Sequence, residues 1–143
     1  MILIGKNVSP FVRRVAVTLM ELDMPFQREL LSPSSDADQV RRFNPIGRVP
    51  ALVLDDGDNL IDSGAILDYL EDRVGQGRGL MPPTGDARRR VMKAVALMTG
   101  AIEKYLAGAY EMTKKPADKL HLPWREACQA QALAALDELE AWS

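Results

Sequence analysis

The sequence predicts an α/β domain of element order βαβαββα, followed by a segment that is helical throughout. Three observations carry this. Short apolar runs suited to strands alternate with amphipathic stretches over residues 1–74. A stretch rich in glycine and proline (Gly75, Gly77, Gly79, Pro82, Pro83, Gly85) then interrupts the pattern. Beyond it, apolar residues recur only at helical spacing.

Each element has a local reason. Met1 to Gly5 is a short apolar run closed by glycine and reads as a buried strand. Ser9-Pro10 opens a helix, with serine at the N-cap and proline at the first helical position. Phe11, Val15, Leu19 and Leu22 follow on one face, and Met24-Pro25 ends the pattern. Phe26 to Leu31 reads as a second strand, parallel to the first in a right-handed βαβ unit. After the polar loop Ser32–Ser35, a short helix covers Asp36 to Phe43 and stops before Asn44-Pro45. Ala51–Leu54 and Asn59–Ile61 flank Asp55-Asp56-Gly57-Asp58, a hairpin signal. Asp62-Ser63 opens the next helix, with Ile66, Tyr69, Leu70 and Val74 on one face. Past the linker, Asp86 is the expected N-cap of a long helix carrying Val91, Val95, Met98, Ile102, Tyr105 and Ala109. Pro116 breaks it. Leu122-Pro123 leads into a last helix with Trp124, Cys128, Leu136 and Leu139 as its expected apolar contacts, and His121 before it has no evident partner.

Composition excludes several function classes. The chain has 143 residues, 47% apolar and 27% charged, which is a folded and not a disordered composition. One cysteine rules out an internal disulfide framework and a Cys-x-x-Cys pair, and one histidine rules out a multi-histidine metal site. A net charge of -2 gives no field for nucleic acid. No apolar run is long enough to span a membrane, and Met1-Ile2-Leu3-Ile4 lacks the basic opening of a signal peptide. A cytoplasmic protein is therefore expected.

Three motifs, in order, resemble the glutathione S-transferase family: Ser9-Pro10-Phe11-Val12-Arg13-Arg14, then Asn44-Pro45-Ile46-Gly47-Arg48-Val49-Pro50-Ala51-Leu52, then Asp62-Ser63-Gly64-Ala65-Ile66. The chain is particularly similar to small bacterial members that begin with Ser-Pro-Phe-Val-Arg. The resemblance implies a thioredoxin-like glutathione-binding domain over 1–76, a linker over 77–85 and a partial all-helical domain over 86–143. It also implies glutathione as co-substrate, a homodimer and a role in detoxification, with no metal. The family's helical domain continues well past Trp142-Ser143, so the C-terminal domain is expected to be incomplete, with apolar surface on its helices bare or covered by a partner.

The resemblance assigns roles residue by residue. Val49-Pro50 matches the family's cis-proline motif, where the valine backbone pairs with the cysteinyl unit of glutathione. A trans proline that only starts the following strand is the plain alternative. Asp62 and Ser63 stand at a helix N-terminus, which attracts anions. There Ser63 suits the γ-glutamyl carboxylate and Asp62 the ammonium, unless Ser63 only caps the helix. Arg48 presents a fork suited to the glycyl carboxylate, or it is a solvated loop side chain. One or both of Arg13 and Arg14 are expected on the exposed face of the first helix. Ser9 occupies the place of the family's hydroxyl or thiol that acts on the glutathione sulfur. Ser-Pro opening a helix is equally what a cap looks like without chemistry, and Asn7 is the alternative donor to sulfur. A serine favours holding the thiolate for attack on an electrophile over thiol–disulfide exchange.

The electrophile pocket implied by the family would draw on Met98, Ile102, Tyr105 and Tyr110, whose spacing equally fits core packing. Cys128 reads as inert packing. The paired-serine loop of maleylacetoacetate isomerases is missing, which argues against that activity. The expected function is conjugation of glutathione to a small apolar electrophile. The alternatives are a non-catalytic interaction protein of the stringent-starvation type, or a glutathione-dependent peroxidase or disulfide reductase. Hydroperoxide turnover separates the last of these. A co-purifying partner without turnover marks the interaction protein.

Overall fold

A computed structural model describes residues 1–75 and 77–142. The chain divides into two compact units, Met1–Met81 and Pro82–Ser143. The division falls within the expected linker. The domain end expected at residue 76 and the chain end at 143 lie outside the described residues.

The first unit is a four-stranded sheet with helices on both faces. Its elements are β1 (Ile2–Ile4), α1 (Pro10–Glu21), β2 (Gln27–Glu29), α2 (Ala37–Phe43), β3 (Ala51–Val53), β4 (Asn59–Leu60) and α3 (Ser63–Val74). The strand order is β2-β1-β3-β4. β1 pairs parallel with β2 and antiparallel with β3, and β3 pairs antiparallel with β4. The predicted order of elements is the observed one.

Side-chain alternation along β1 builds the two cores. Leu3, opposite Leu52, joins Val12, Val15, Leu19, Ile66 and Leu70 under α1 and α3. Ile4, opposite Ala51, joins Leu31 and Val40 under α2. Each fully buried Leu, Ile or Val stabilises the unit by about 1.5–3 kcal/mol relative to exposure.

The strands are shorter than expected, and β2 shows why. The Leu31 N–H donates to the Glu29 carbonyl at 3.0 Å, which closes a tight turn and ends the ladder. Leu30 is thereby left outside while Leu31 enters the second core. The hairpin turns at Gly57, whose φ of +90° suits glycine. The helix over 36–43 begins one residue later than predicted. Asp36 stands outside it, accepting from the Ser32 N–H and the Ser35 hydroxyl, both at 2.8 Å.

The second unit holds α4 (Gly85–Lys114), a single 3₁₀ turn (Ala117–Lys119) and α5 (Leu122–Glu140). Asp86 is not the N-cap of α4. Thr84 takes that place without a side-chain hydrogen bond, and Asp86 lies in the first turn, paired with Arg89 at 3.1 Å. The seam between the helices is made of small residues: Ala101 and Gly108 on α4, Cys128 and Ala132 on α5. A Cβ on Gly108 would stand 3.4 Å from the Arg125 carbonyl, so the backbones approach closely there. Cys128 is buried as expected. Trp124 and Leu136 are not: they stay 45% and 42% exposed, because the narrow seam leaves wide side chains outside it. Lys104 lies over the Trp124 ring, 5.8 Å from its centre. No described helix is long and apolar enough to cross a membrane.

His121 lies in the connection ahead of α5, as expected, and is held there through its main chain. Its backbone N–H donates to the Glu111 carboxylate at 2.7 Å, and the Lys115 ammonium donates to the same group at 2.9 Å. Together they tie the α4–α5 connection. The Lys115 hydrogen bond, then the His121 N–H, hold the Glu111 carboxyl below its ordinary 4.5. Such a group stabilises the fold fully above the unfolded carboxyl range, and the contribution is lost as pH falls through the folded value. Glu111→Gln is expected to flatten the fall in melting temperature between about pH 5 and pH 3. Circular-dichroism melts at several pH values check this; parallel wild-type and variant curves would refute it.

Candidate functional site

The candidate site forms at the end of the sheet where β1 runs out and β3 begins. Ile4 pairs with Ala51, so the loop after β1 faces the loop before β3. The contact is intimate at Gly5. A Cβ there would stand 2.6 Å from Val12 Cγ2 and 3.0 Å from Val49 Cβ, and its φ is +131°. Glycine thus brings the Lys6–Ser9 loop and Val49 together.

Ser9 caps α1. Its Oγ accepts from the Val12 N–H at 3.3 Å, its own N–H donates to the Lys6 carbonyl at 3.1 Å, and its carbonyl accepts from the Arg13 N–H at 3.0 Å. The capping bond uses a lone pair of Oγ and leaves the hydroxyl proton to give.

The loop ahead of β3 is organised by Asn44, the first residue of the second motif, to which the sequence reading gave no side-chain role. Asn44 is buried; its Oδ1 accepts from the Ile46 N–H at 3.0 Å and its Nδ2 donates to the Arg48 carbonyl at 2.9 Å. This turn sets the start of Val49. The Val49–Pro50 peptide bond is cis, as is Ile61–Asp62. The Arg48 side chain is exposed.

At the start of α3 the cap is Asp62, not Ser63, and its side chain accepts from the Ser63 N–H. Ser63 is buried, and its Oγ accepts from Arg14 Nη1 at 3.4 Å. Arg14 is therefore the half-buried arginine of the pair, turned toward α3. Burial lowers the tendency of its guanidinium to hold a proton, and the nearby Asp62 carboxylate works against that. α1 consequently links two of the motifs: Ser9 caps it, and Arg14, one turn on, reaches Ser63. Position 14 lies five residues after Ser9, on a helix with one buried face, and only the tertiary fold shows which way it points. Arg13, by contrast, is exposed as expected.

A hollow of about 550 Å³ lies at the other end of the sheet, lined by Met1, Ile2, Phe26, Leu54 and Arg73, and takes in none of these residues. On α4, Met98, Tyr105 and Tyr110 are exposed and Ile102 is partly buried. Among the described residues no group of three or more His, Cys, Asp and Glu side chains gathers as metal ligands do.

Comparison with known proteins bears on the family and the fold. The family model for the glutathione S-transferase N-terminal domain matches residues 3–78. The uncharacterized GST-like protein YibF of Escherichia coli (strain K12) is 31% identical over 117 residues, covering 82% of this chain and 57% of the relative. Maleylacetoacetate isomerase of Pseudomonas aeruginosa is 35% identical over 100 residues, covering 66% of this chain and 45% of that protein. The crystal structure of a glutathione transferase family member from Pseudomonas fluorescens Pf-5 with bound glutathione matches with a TM-score of 0.85 at 34% identity, covering 98% of this chain and 70% of that one. The chain spans about half the length of these curated relatives. With the family's N-terminal domain spanning more than half of its residues, this chain belongs to the glutathione S-transferase family.

Proposed function

We propose that the first unit binds glutathione and that the protein transfers its thiolate to a small apolar electrophile. The observation that carries this reading is the Arg14–Ser63–Asp62 group at the start of α3. It sets a cation, a hydroxyl and a carboxylate at a helix N-terminus, which suits an amino acid's paired charges. The γ-glutamyl carboxylate meets Ser63 and Arg14, and the ammonium meets Asp62. The Val49 backbone pairs with the cysteinyl unit, Pro50 follows it at the start of β3, and Arg48 meets the glycyl carboxylate. The glutathione-bound Pseudomonas fluorescens relative supports the choice of ligand. A homodimer in the cytoplasm is the expected working form.

Ser9 donates its free hydroxyl proton to the glutathione sulfur. A free thiol of pKa about 8.5 is roughly 3% thiolate at pH 7, and lowering it to about 6.5 makes roughly three quarters thiolate. That shift needs about 2.7 kcal/mol. One hydrogen bond to a charged sulfur supplies about 1.5–3 kcal/mol, and the N-terminus of α1 adds about 0.3–1 kcal/mol. The magnitudes match. In the transfer, the sulfur forms its bond to carbon, the leaving group departs with the bonding pair, and the thiol proton goes to water.

Isothermal titration with glutathione tests the binding. Ser63→Ala is expected to raise Kd roughly fivefold, about 1 kcal/mol. Ser9→Ala is expected to lower conjugation of a chloronitroaromatic roughly tenfold with a small change in Kd. No heat of binding at millimolar glutathione would overturn the reading.

A further inference from the structure

Beside Ser9 the surface carries two guanidinium groups that the proposed glutathione contacts do not use. Arg13 Nη1 donates to the Asn7 backbone carbonyl at 3.3 Å, and Arg28 Nη2, from β2, donates to Asn7 Oδ1. A single exposed asparagine thus gathers two arginines from different elements. Neither forms an ion pair within 4.0 Å among the described residues. Lys6, on the same loop, adds positive charge, part of which the Asp36 carboxylate offsets. Two like charges on one residue repel, and the uncharged Asn7 oxygens neutralise neither. Between Asn7 and Ser9 stands Val8, an apolar side chain 81% exposed. Ser9, next in the chain, accepts the Arg13 backbone N–H through its carbonyl.

This juxtaposition offers an anion's fork-shaped partner at Asn7 and an apolar contact at Val8, which adjoins in sequence the residue proposed to hold the sulfur. We propose that the electrophile carries a carboxylate on its apolar body, received by Arg13 and Arg28 where Asn7 holds them beside Ser9. The inference rests on the glutathione-transfer reading above and narrows its substrate class. With a chloronitrobenzoate, the glutathione sulfur bonds to the ring carbon that bears chlorine, and the carbon–chlorine bond breaks. Chloride leaves with the bonding pair, the thiol proton passes to water, and the carboxylate is unchanged.

The test compares two glutathione conjugates by isothermal titration, S-(4-carboxybenzyl)glutathione and S-benzylglutathione, with glutathione itself alongside. The wild-type chain is expected to bind the carboxylate conjugate about tenfold more tightly than the benzyl conjugate. Arg13→Met with Arg28→Met is expected to bring that ratio to about one without changing the affinity for glutathione. Arg13→Lys with Arg28→Lys, which keeps charge and loses the fork, should fall between. A wild-type ratio at or below one, or a ratio that survives the double Met variant, overturns the inference while leaving glutathione binding in place. Loss of glutathione affinity in the double variant also overturns it, since the arginines would then hold the tripeptide. A wild-type chain that does not bind glutathione overturns both readings together.

Discussion

Gly5→Ala is expected to destabilise the first unit by about 2–4 kcal/mol. Two costs combine. The φ of +131° lies in a region that only glycine occupies without strain. The added Cβ would also meet Val12 Cγ2 at 2.6 Å and Val49 Cβ at 3.0 Å. Val12 is fully buried in the core under α1, and Val49 is packed against both cores, so neither can step aside cheaply. Gly57→Ala is the control. Its φ is +90°, but nothing lies within 4 Å of the added Cβ, so it carries the backbone cost alone, about 1 kcal/mol. Hydrogen exchange of peptides covering residues 1–22 in the full chain reads the difference. Equal effects of the two substitutions would show that the Val12 and Val49 contacts do not matter. Glutathione affinity should fall with Gly5→Ala as well, because the Ser9 and Val49 loops meet at this glycine.

The glycine also marks where sequence reading stops. Gly5 was legible as the end of a strand; that its missing side chain is what lets two loops touch was not, since Val49 is distant in the chain. The same distinction runs through the molecule. Ser9 at the N-cap, Val15 and Leu19 on one face of α1, and Ile66 and Leu70 on one face of α3 are local patterns, and the fold reproduces them. Arg14 and the Glu111–His121 tie are polar groups whose partners are set by packing, not by spacing, whereas Asn44 bonds within its own turn, to Ile46 and Arg48. In α5, hydrophobic spacing over-read the core: Trp124 and Leu136 fit the pattern, but the seam follows the small residues Cys128 and Ala132. Periodicity reports which residues share a face. It does not report how wide a neighbour that face meets.

Arg14→Met is expected to raise the glutathione Kd on the order of thirtyfold, about 2 kcal/mol. Arg14 is the cation that faces the start of α3, donating to Ser63 Oγ and standing near Asp62. Without it, the proposed γ-glutamyl carboxylate loses its one cationic protein partner and keeps only the Ser63 hydroxyl and the helix N-terminus, with the Asp62 carboxylate nearby. Half-buried charges are screened less than surface ones, so this loss should exceed that of Ser63→Ala, which removes one hydroxyl and no charge. Methionine keeps an apolar stem of similar length, so packing on α1 is largely retained and stability should change by less than about 1 kcal/mol. Arg14→Lys separates charge from geometry: it should recover part of the affinity, because an ammonium restores the charge but not the planar fork. Titrations of the three proteins, with melts run in parallel, give the ordering. A Kd for Arg14→Met within threefold of the wild type would mean that glutathione is not read at the start of α3.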